Sequence, residues 1–181
     1  MIVPKVDKIS FANLETFYQE AYDTALLKNE EQIEHVFANL IKHRDRYHKV
    51  QDQTGVPWLW LAAIHNLEGS CNFETYLHNG DPLGKKTVHV PVGVGPFNTW
   101  EESAIDVIKT SKLDKVTDWS RPRMLYEAEK FNGLGYIKQG LMSPYVWSCT
   151  SHYEKGKYVA DGKYDPNAIS RQVGIAAILI F

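Results

Sequence analysis

The sequence has few cysteines, no surplus of one charge and no long apolar run. Its two cysteines, Cys71 and Cys149, cannot by themselves build a disulfide framework or a four-ligand zinc site. We expect ordinary thiols, with one long-range disulfide as the alternative. Because 20 Lys and Arg residues stand against 22 Asp and Glu residues, the net charge of -2 offers no basic field for nucleic acid.

No stretch reaches the roughly 18 apolar residues of a membrane span, and the first residues lack the charged and apolar regions of a secretion signal. We therefore expect a soluble protein without membrane insertion or a signal peptide. A chain of 181 residues, 44% of them hydrophobic, is long enough for one compact domain with a core. We predict a single domain over 1–181, a monomer, with a helical pair over 1–52 and a core region over 53–181.

Hydrophobic periodicity predicts a mainly helical, α+β fold. The segment from Pro57 to Glu68 is apolar on nearly all sides, which is typical of a helix in the protein interior. Amphipathic patterns and capping signals predict the surrounding helices. These helices are predicted over 10–28, 30–50, from Thr99 onward, over 120–132 and after Pro166.

The segment over 70–98 differs from its neighbours because glycine, proline and turn signals exclude a helix. Asn79-Gly80-Asp81-Pro82 predicts a turn, and Thr87-Val88-His89-Val90 alternates like a short strand. We expect a loop with a small β-hairpin here, and the glycine- and tyrosine-rich segment over 134–164 predicts further loop with a second hairpin around 153–158.

Glu68 is the strongest candidate for an acid group. It ends the apolar helix, where Ile64 and Leu61 lie one and two turns back and the helix C-terminus carries a partial negative charge. Both effects disfavour the ionised carboxylate and would keep a proton for a leaving oxygen. A charged His65 would oppose them. The alternative is a local cap or salt bridge.

Asp81 follows Glu68 by thirteen residues and Thr87 follows Asp81 by six. Two carboxyl groups brought together by a hairpin could provide an acid on one side of a sugar ring and a base or water holder on the other. As an alternative, Asp before Pro is ordinary turn chemistry.

Several runs of the sequence carry a resemblance to a known family. They are Ile64-His65-Asn66-Leu67-Glu68-Gly69-Ser70, Asn72-Phe73, Leu77 to Leu83, Trp100 to Ala104, Tyr126 and Phe131 to Tyr136. Together these runs resemble the lysozyme-like superfamily, which includes goose-type lysozymes, soluble lytic transglycosylases and phage endolysins. The resemblance covers about 50–180. Phage-type lysozymes have a shorter Glu-to-Asp spacing, by four residues, and the same Asp-to-Thr spacing.

The resemblance implies a lysozyme-like fold, a helical bundle around a buried central helix with a small β-hairpin beside a cleft. It implies cleavage of the β-1,4 bond between N-acetylmuramic acid and N-acetylglucosamine in peptidoglycan, with Glu68 as general acid and no cofactor. Asp81 would position water if the enzyme hydrolyses its substrate. Because lytic transglycosylases need no second carboxylate, hydrolysis and transglycosylation both stay open.

Glycan contacts are expected from polar groups near Glu68 and from aromatic rings that can stack on the faces of sugars. We expect the protein to reach the bacterial cell wall as a phage-encoded protein, by a non-classical export route or after release by lysis. The candidate glycan-binding residues are Ser70, His78, Thr87, Tyr126, Asn132, Tyr136, Tyr145 and Trp147.

Three other functions fit parts of the sequence. A non-catalytic glycan-binding or virion structural module would use the same aromatic residues. A zinc peptidase could use His65, Glu68 and nearby histidines, but the His-Glu-x-x-His pattern is absent and we expect no metal. A thiol peptidase could use Cys71 with His78 or His65 as its base.

Overall fold

The computed structural model describes residues 1–160 and 162–181. The chain is mainly helical with a two-stranded antiparallel sheet, which confirms the predicted helical class. It divides into two compact units. We call residues 1–37 with 120–181 the terminal unit, and 38–119 the central unit. These boundaries differ from the predicted division after residue 52, and the single domain stays a prediction.

The terminal unit is built around α1 and α6, which pack against each other, while α6 also contacts α8 and α9. Gly174 precedes α9 where a Cβ atom would stand 2.6 Å from the carbonyl oxygen of Val146, so glycine permits this close approach. The elements are α1 (Phe11–Thr24), α6 (Arg121–Phe131), α7 (Gly135–Lys138), α8 (Pro144–Trp147), β1 (Lys157–Ala160), β2 (Lys163–Asp165) and α9 (Ile175–Ile180).

The central unit packs α3 against α4 and α5. The predicted capping box begins α5, because the Thr99 side chain accepts from the Glu102 N–H and the Glu102 carboxylate accepts from the Thr99 N–H. The boundary between the units falls within α2. The elements are α2 (Glu30–Lys42), α3 (Arg44–Thr54), α4 (Trp58–Gly69), α5 (Trp100–Thr110) and a 3-10 turn (Leu113–Lys115).

Three local predictions need correction. The helix predicted over 30–50 is broken at His43 into α2 and α3. The hairpin predicted within 70–98 is reduced to an isolated antiparallel bridge between Thr75 and Pro82, without strands. Backbone hydrogen bonds that join Thr87 to Gly93 and Val94, with side-chain acceptors on Asp81 and Thr87, organise 87–94 instead. The last helix begins at Ile175 instead of after Pro166, since Asp165 accepts from the Asn167 N–H and forms a turn. The second hairpin, predicted around 153–158, lies further along the chain, with its strands at Lys157–Ala160 and Lys163–Asp165.

Candidate functional site

Glu68 lies in the last turn of α4 and is exposed. The apolar character of α4 does bury most of the helix, but the chain emerges at its C-terminal end. This corrects the expectation that hydrocarbon surrounds the Glu68 carboxyl group. The next polar candidate, Ser70, is also exposed and adopts a left-handed conformation (φ 51°), with its N–H donating to the Asn66 carbonyl oxygen at 3.0 Å. The buried residues of α4 are Trp60, Leu61, Ala62, Ala63, Ile64, His65 and Leu67.

His65 lies beneath the end of α4 as a buried, neutral side chain. Burial lowers its pKa from 6.5 to about 4, although the hydrogen bond to the Asn72 carbonyl opposes this shift. Its Nε2–H donates to the Asn72 oxygen at 3.1 Å, and its Nδ1 accepts from the Tyr47 hydroxyl at 3.1 Å. Since His65 is uncharged near neutral pH, it supplies no positive charge to Glu68.

Asp81 is buried and holds the loop that follows it. Its Oδ2 accepts from the N–H groups of Val88 and His89 at 2.8 and 3.0 Å, and its Oδ1 accepts from His89 Nδ1 at 2.5 Å. These bonds, those from His89 first, lower the pKa of Asp81 to about 2. Both oxygens are therefore engaged in ordering the loop, and the predicted role of Asp81 in positioning water stays a prediction.

The structure does not support direct glycan contacts by His78 or Thr87, because both side chains are buried in loop contacts. His78 Nε2 lies 2.9 Å from Asp106 Oδ2, and its Nδ1 lies 3.4 Å from the Ser103 hydroxyl. Thr87 donates its hydroxyl to the Pro91 carbonyl and accepts from the Val94 N–H. Although the two ring nitrogens of His78 contact Asp106 and Ser103, Ser103 is fully buried and presents no nucleophile to a substrate.

The terminal unit contains an open pocket of about 650 Å³ that combines tyrosine rings with amide and hydroxyl groups. Sequence reasoning found three of its lining residues, Asn132, Tyr136 and Tyr145. It missed the residues that come from β1 and from the segment before α9. The loop pattern over 134–164 did not show which side chains of the hairpin face the pocket. The lining residues are Asn132, Gly133, Gly135, Tyr136, Pro144, Tyr145, Lys157, Tyr158, Val159, Ala160, Gly162, Ser170 and Gln172.

The pocket wall is positioned by contacts between β1 and α7. The Tyr158 N–H donates to the Tyr136 hydroxyl at 3.0 Å, and the rings of these residues lie 5.1 Å apart in an edge-to-face arrangement. Tyr164 in β2 contacts both rings at 5.6 and 6.4 Å. Such edge-to-face pairs rigidify an aromatic wall beyond simple burial of area.

Two of the predicted glycan contacts belong instead to the core of the terminal unit. Trp147 is fully buried, with 0% solvent exposure, and the centroid of its ring lies 6.5 Å from that of Tyr18 in a stacked arrangement. Tyr126 is buried against Phe11, whose ring lies 5.6 Å away. This corrects the prediction for Trp147, because an aromatic ring stacks on a sugar only when a face reaches solvent. Tyr126 is not among the residues that line the terminal-unit pocket, so its contact with glycan has no support there.

Glu129 is a buried carboxyl group that sequence reasoning missed. It lies on α6 with 0% exposure, and neither carboxyl oxygen makes a hydrogen bond of good geometry in the part of the chain described. Burial raises its pKa from 4.5 to about 8, although the nearby Ser143 hydroxyl opposes this shift. Glu129 is therefore protonated at neutral pH. The spacing of α6 could have placed it on the inner face.

The described residues give little support to a zinc-peptidase or a thiol-peptidase site. Within 1–160 and 162–181, no group of three His, Cys, Asp or Glu side chains could hold a metal ion. Cys71 and Cys149 are free and buried, as expected for ordinary thiols. Burial raises the pKa of Cys71, which disfavours the thiolate, and both ring nitrogens of His65 are already engaged.

No helix among the described residues has both the length and the apolar character needed to cross a membrane. No protein-family model, curated protein or solved structure matches this chain. The case for a function therefore depends on the residues and on their geometry.

Proposed function

We propose that this protein cleaves the glycan strands of peptidoglycan. Glu68 of the central unit would act as general acid, and the terminal-unit pocket would by itself bind sugar rings. The observation that carries the proposal is the composition of the pocket. Tyr158 supplies a half-buried ring, Tyr136 and Tyr145 line the pocket with 6% and 8% of their surface exposed, and Asn132 and Gln172 supply amide groups. Sugars need this combination, because the C–H face of a pyranose packs on an aromatic ring and its hydroxyl and acetamido groups need hydrogen bonds.

The volume of the pocket also suits a saccharide. Ligand sites in proteins commonly enclose about 300–1,000 Å³, and this pocket encloses about 650 Å³. Its open form suits a polymer, since a chain must enter and leave sideways. Glu68, with an exposed side chain at the end of a rigid helix, supplies a carboxyl group that a polymer can reach.

In the proposed reaction, the Glu68 carboxyl group transfers its proton to the glycosidic oxygen while the C–O bond breaks and an oxocarbenium-like sugar forms. The anomeric carbon then gains the oxygen of a water or of the sugar's own 6-hydroxyl group. The proton released from that oxygen returns to Glu68. Water gives hydrolysis, and the 6-hydroxyl group gives a 1,6-anhydro end.

Because Glu68 is exposed in the free protein, the bound glycan itself would have to supply the apolar surroundings that keep the proton on its carboxyl group. A saccharide that covers Glu68 displaces water, and removal of water disfavours the carboxylate. Under the proposal, Ser70 contacts the glycan as a neighbouring hydrogen-bonding group. Asp81 contributes by ordering the loop over 87–94.

The test replaces the acid and keeps its shape. We expect Glu68→Gln to lower the release of soluble fragments from purified cell walls by at least about 100-fold, the usual contribution of a general acid. Glu74→Gln changes another exposed carboxylate of the central unit and should leave the rate unchanged. Mass spectrometry of the fragments distinguishes reducing ends from 1,6-anhydro ends. Wall degradation at the normal rate by the Glu68→Gln protein would overturn the proposal.

The exposure of Glu68 also favours a second candidate, a glycan-binding module without catalysis. Such a module would use the same pocket and would need no protonated acid. Retention of the unmodified protein on cell walls, with no release of reducing or anhydro ends, would support this second function.

A further inference from the structure

The terminal-unit pocket has one charged lining residue within the part of the chain described, and that residue is Lys157. No Asp or Glu contributes to the lining there. The other polar groups that face the pocket, those of Asn132, Ser170 and Gln172, are neutral. Among the described residues, the pocket lining therefore combines one positively charged side chain with three tyrosines.

Lys157 is also available for a ligand. It begins β1 as a half-buried residue, and among the described carboxylates none forms an ion pair with it. Its cross-strand neighbour is Asp165, but the Asp165 carboxylate accepts from the Asn167 N–H at 2.8 Å. Lys157 thus lines the pocket without an ion-pair partner among the described residues.

The position of Lys157 is held by the rest of the pocket wall. Its neighbour Tyr158 is fixed to Tyr136 by a hydrogen bond and an edge-to-face ring contact. Because Lys157 is a half-buried residue on such a wall, its charge is less screened by water than that of a lysine on the open surface, so its attraction for an anion is stronger.

From these observations we propose that the pocket selects saccharides that carry a carboxylate, with Lys157 as the residue that determines this selectivity. The inference depends on the proposed glycan-binding function and specifies its substrate. In peptidoglycan the carboxylate has two sources, the lactyl group of an unsubstituted muramic acid and the acidic groups of a peptide stem. A neutral oligomer of N-acetylglucosamine offers the same ring faces and acetamido groups without the charge.

The experiment compares three ligands of equal sugar length by isothermal titration calorimetry with full-length Glu68→Gln protein, which prevents turnover. The ligands are chitotetraose, a peptide-free tetrasaccharide of alternating N-acetylglucosamine and N-acetylmuramic acid, and the same tetrasaccharide with peptide stems. We expect at least one carboxylate-bearing ligand to bind about tenfold more tightly than chitotetraose at low salt, as for a charge-assisted hydrogen bond. Whichever of the two carboxylate-bearing ligands has the higher affinity identifies the source of the carboxylate.

The matched variants are Lys157→Gln and Lys163→Gln, each added to the Glu68→Gln protein. Lys163 lies in β2 of the same hairpin and is exposed, but it does not line the pocket. Lys157→Gln should abolish the preference while chitotetraose affinity stays within about twofold, and Lys163→Gln should preserve it. The preference should also shrink when the salt concentration rises from about 0.02 M to about 0.5 M, because the shorter screening length weakens the attraction between Lys157 and a carboxylate.

Equal affinity for all three ligands, or a preference that survives Lys157→Gln, would overturn the inference. If wall cleavage nevertheless depends on Glu68, the proposed function stands and only the role of Lys157 is wrong. If none of the three ligands binds, both the selectivity and the proposed use of the pocket are wrong.

Discussion

Glu129 in the terminal unit and His65 in the central unit are both buried titratable side chains, but the chain accommodates them differently. His65 has hydrogen bonds at both ring nitrogens, from Tyr47 and to Asn72. Glu129 has no hydrogen bond of good geometry at either carboxyl oxygen in the described residues. Both groups are neutral at pH 7, since burial raises one pKa and lowers the other.

The comparison shows that burial is the largest cause of the charge state in both cases, while hydrogen bonds decide how well the neutral group is tolerated. His65 fastens the end of α4 to α3 and to the following loop through its two bonds. Glu129 lies near the hydroxyl groups of Tyr18 and Ser143, which likewise have no hydrogen bond of good geometry within the described residues. Unsatisfied buried groups of this kind lower stability. We therefore expect the polar interior of the central unit to be the better satisfied of the two.

The largest expected effect concerns Glu129 at rising pH. Its folded pKa of about 8 lies above the ordinary 4.5, so the unfolded chain releases a proton that the folded chain keeps. The free energy of unfolding should fall by roughly 4–5 kcal/mol between pH 4.5 and pH 8. Glu129→Gln should remove this slope in urea denaturation. Glu15→Gln, an exposed change on α1, should keep it. A slope unchanged in the Glu129→Gln protein would refute the assignment.

The next effect has the opposite sign and concerns His65. Its folded pKa of about 4 lies below the ordinary 6.5, so the unfolded chain binds a proton that the folded chain does not. Stability should fall by about 3 kcal/mol as pH drops from 6.5 to 4. Urea denaturation of the Glu129→Gln protein measures this dependence of the free energy of unfolding on pH without the opposing contribution of Glu129.

A matched pair of substitutions in that protein tests the assignment to His65. His65→Gln should flatten the remaining slope, and His35→Gln, at an exposed position of α2, should not. An NMR titration that places the His65 pKa above 6 would show that the imidazole is not desolvated as the structure implies.

The smallest effect is local and concerns Asp81. Asp81→Asn weakens the acceptors that hold the N–H groups of Val88 and His89, so their hydrogen exchange should quicken by roughly tenfold. Because the pKa of Asp81 is lowered to about 2, this contribution is present above pH 4 and is lost as pH falls toward 2. Asp52→Asn, an exposed change in α3, is the control. Unchanged exchange at 88 and 89 would mean that other contacts hold the loop.

Local signals in the sequence determined several elements of the fold. The continuous apolar run predicted the buried helix α4, and the Thr99 and Glu102 pair predicted the start of α5. Gly133 adopts the left-handed conformation (φ 98°) expected after α6. These features depend on neighbours within a few residues, which a sequence records directly.

Tertiary structure decided which candidate side chains reach solvent and which become core. Trp147 and Tyr145 lie two residues apart in the same aromatic segment, yet Trp147 packs on Tyr18 and Tyr145 lines the pocket. The sequence also could not place Lys157 on the pocket wall, because the hairpin that carries it is held by contacts with α7. Exposure, charge and ligand access depend on contacts between distant segments, and a periodic pattern contains no record of those contacts.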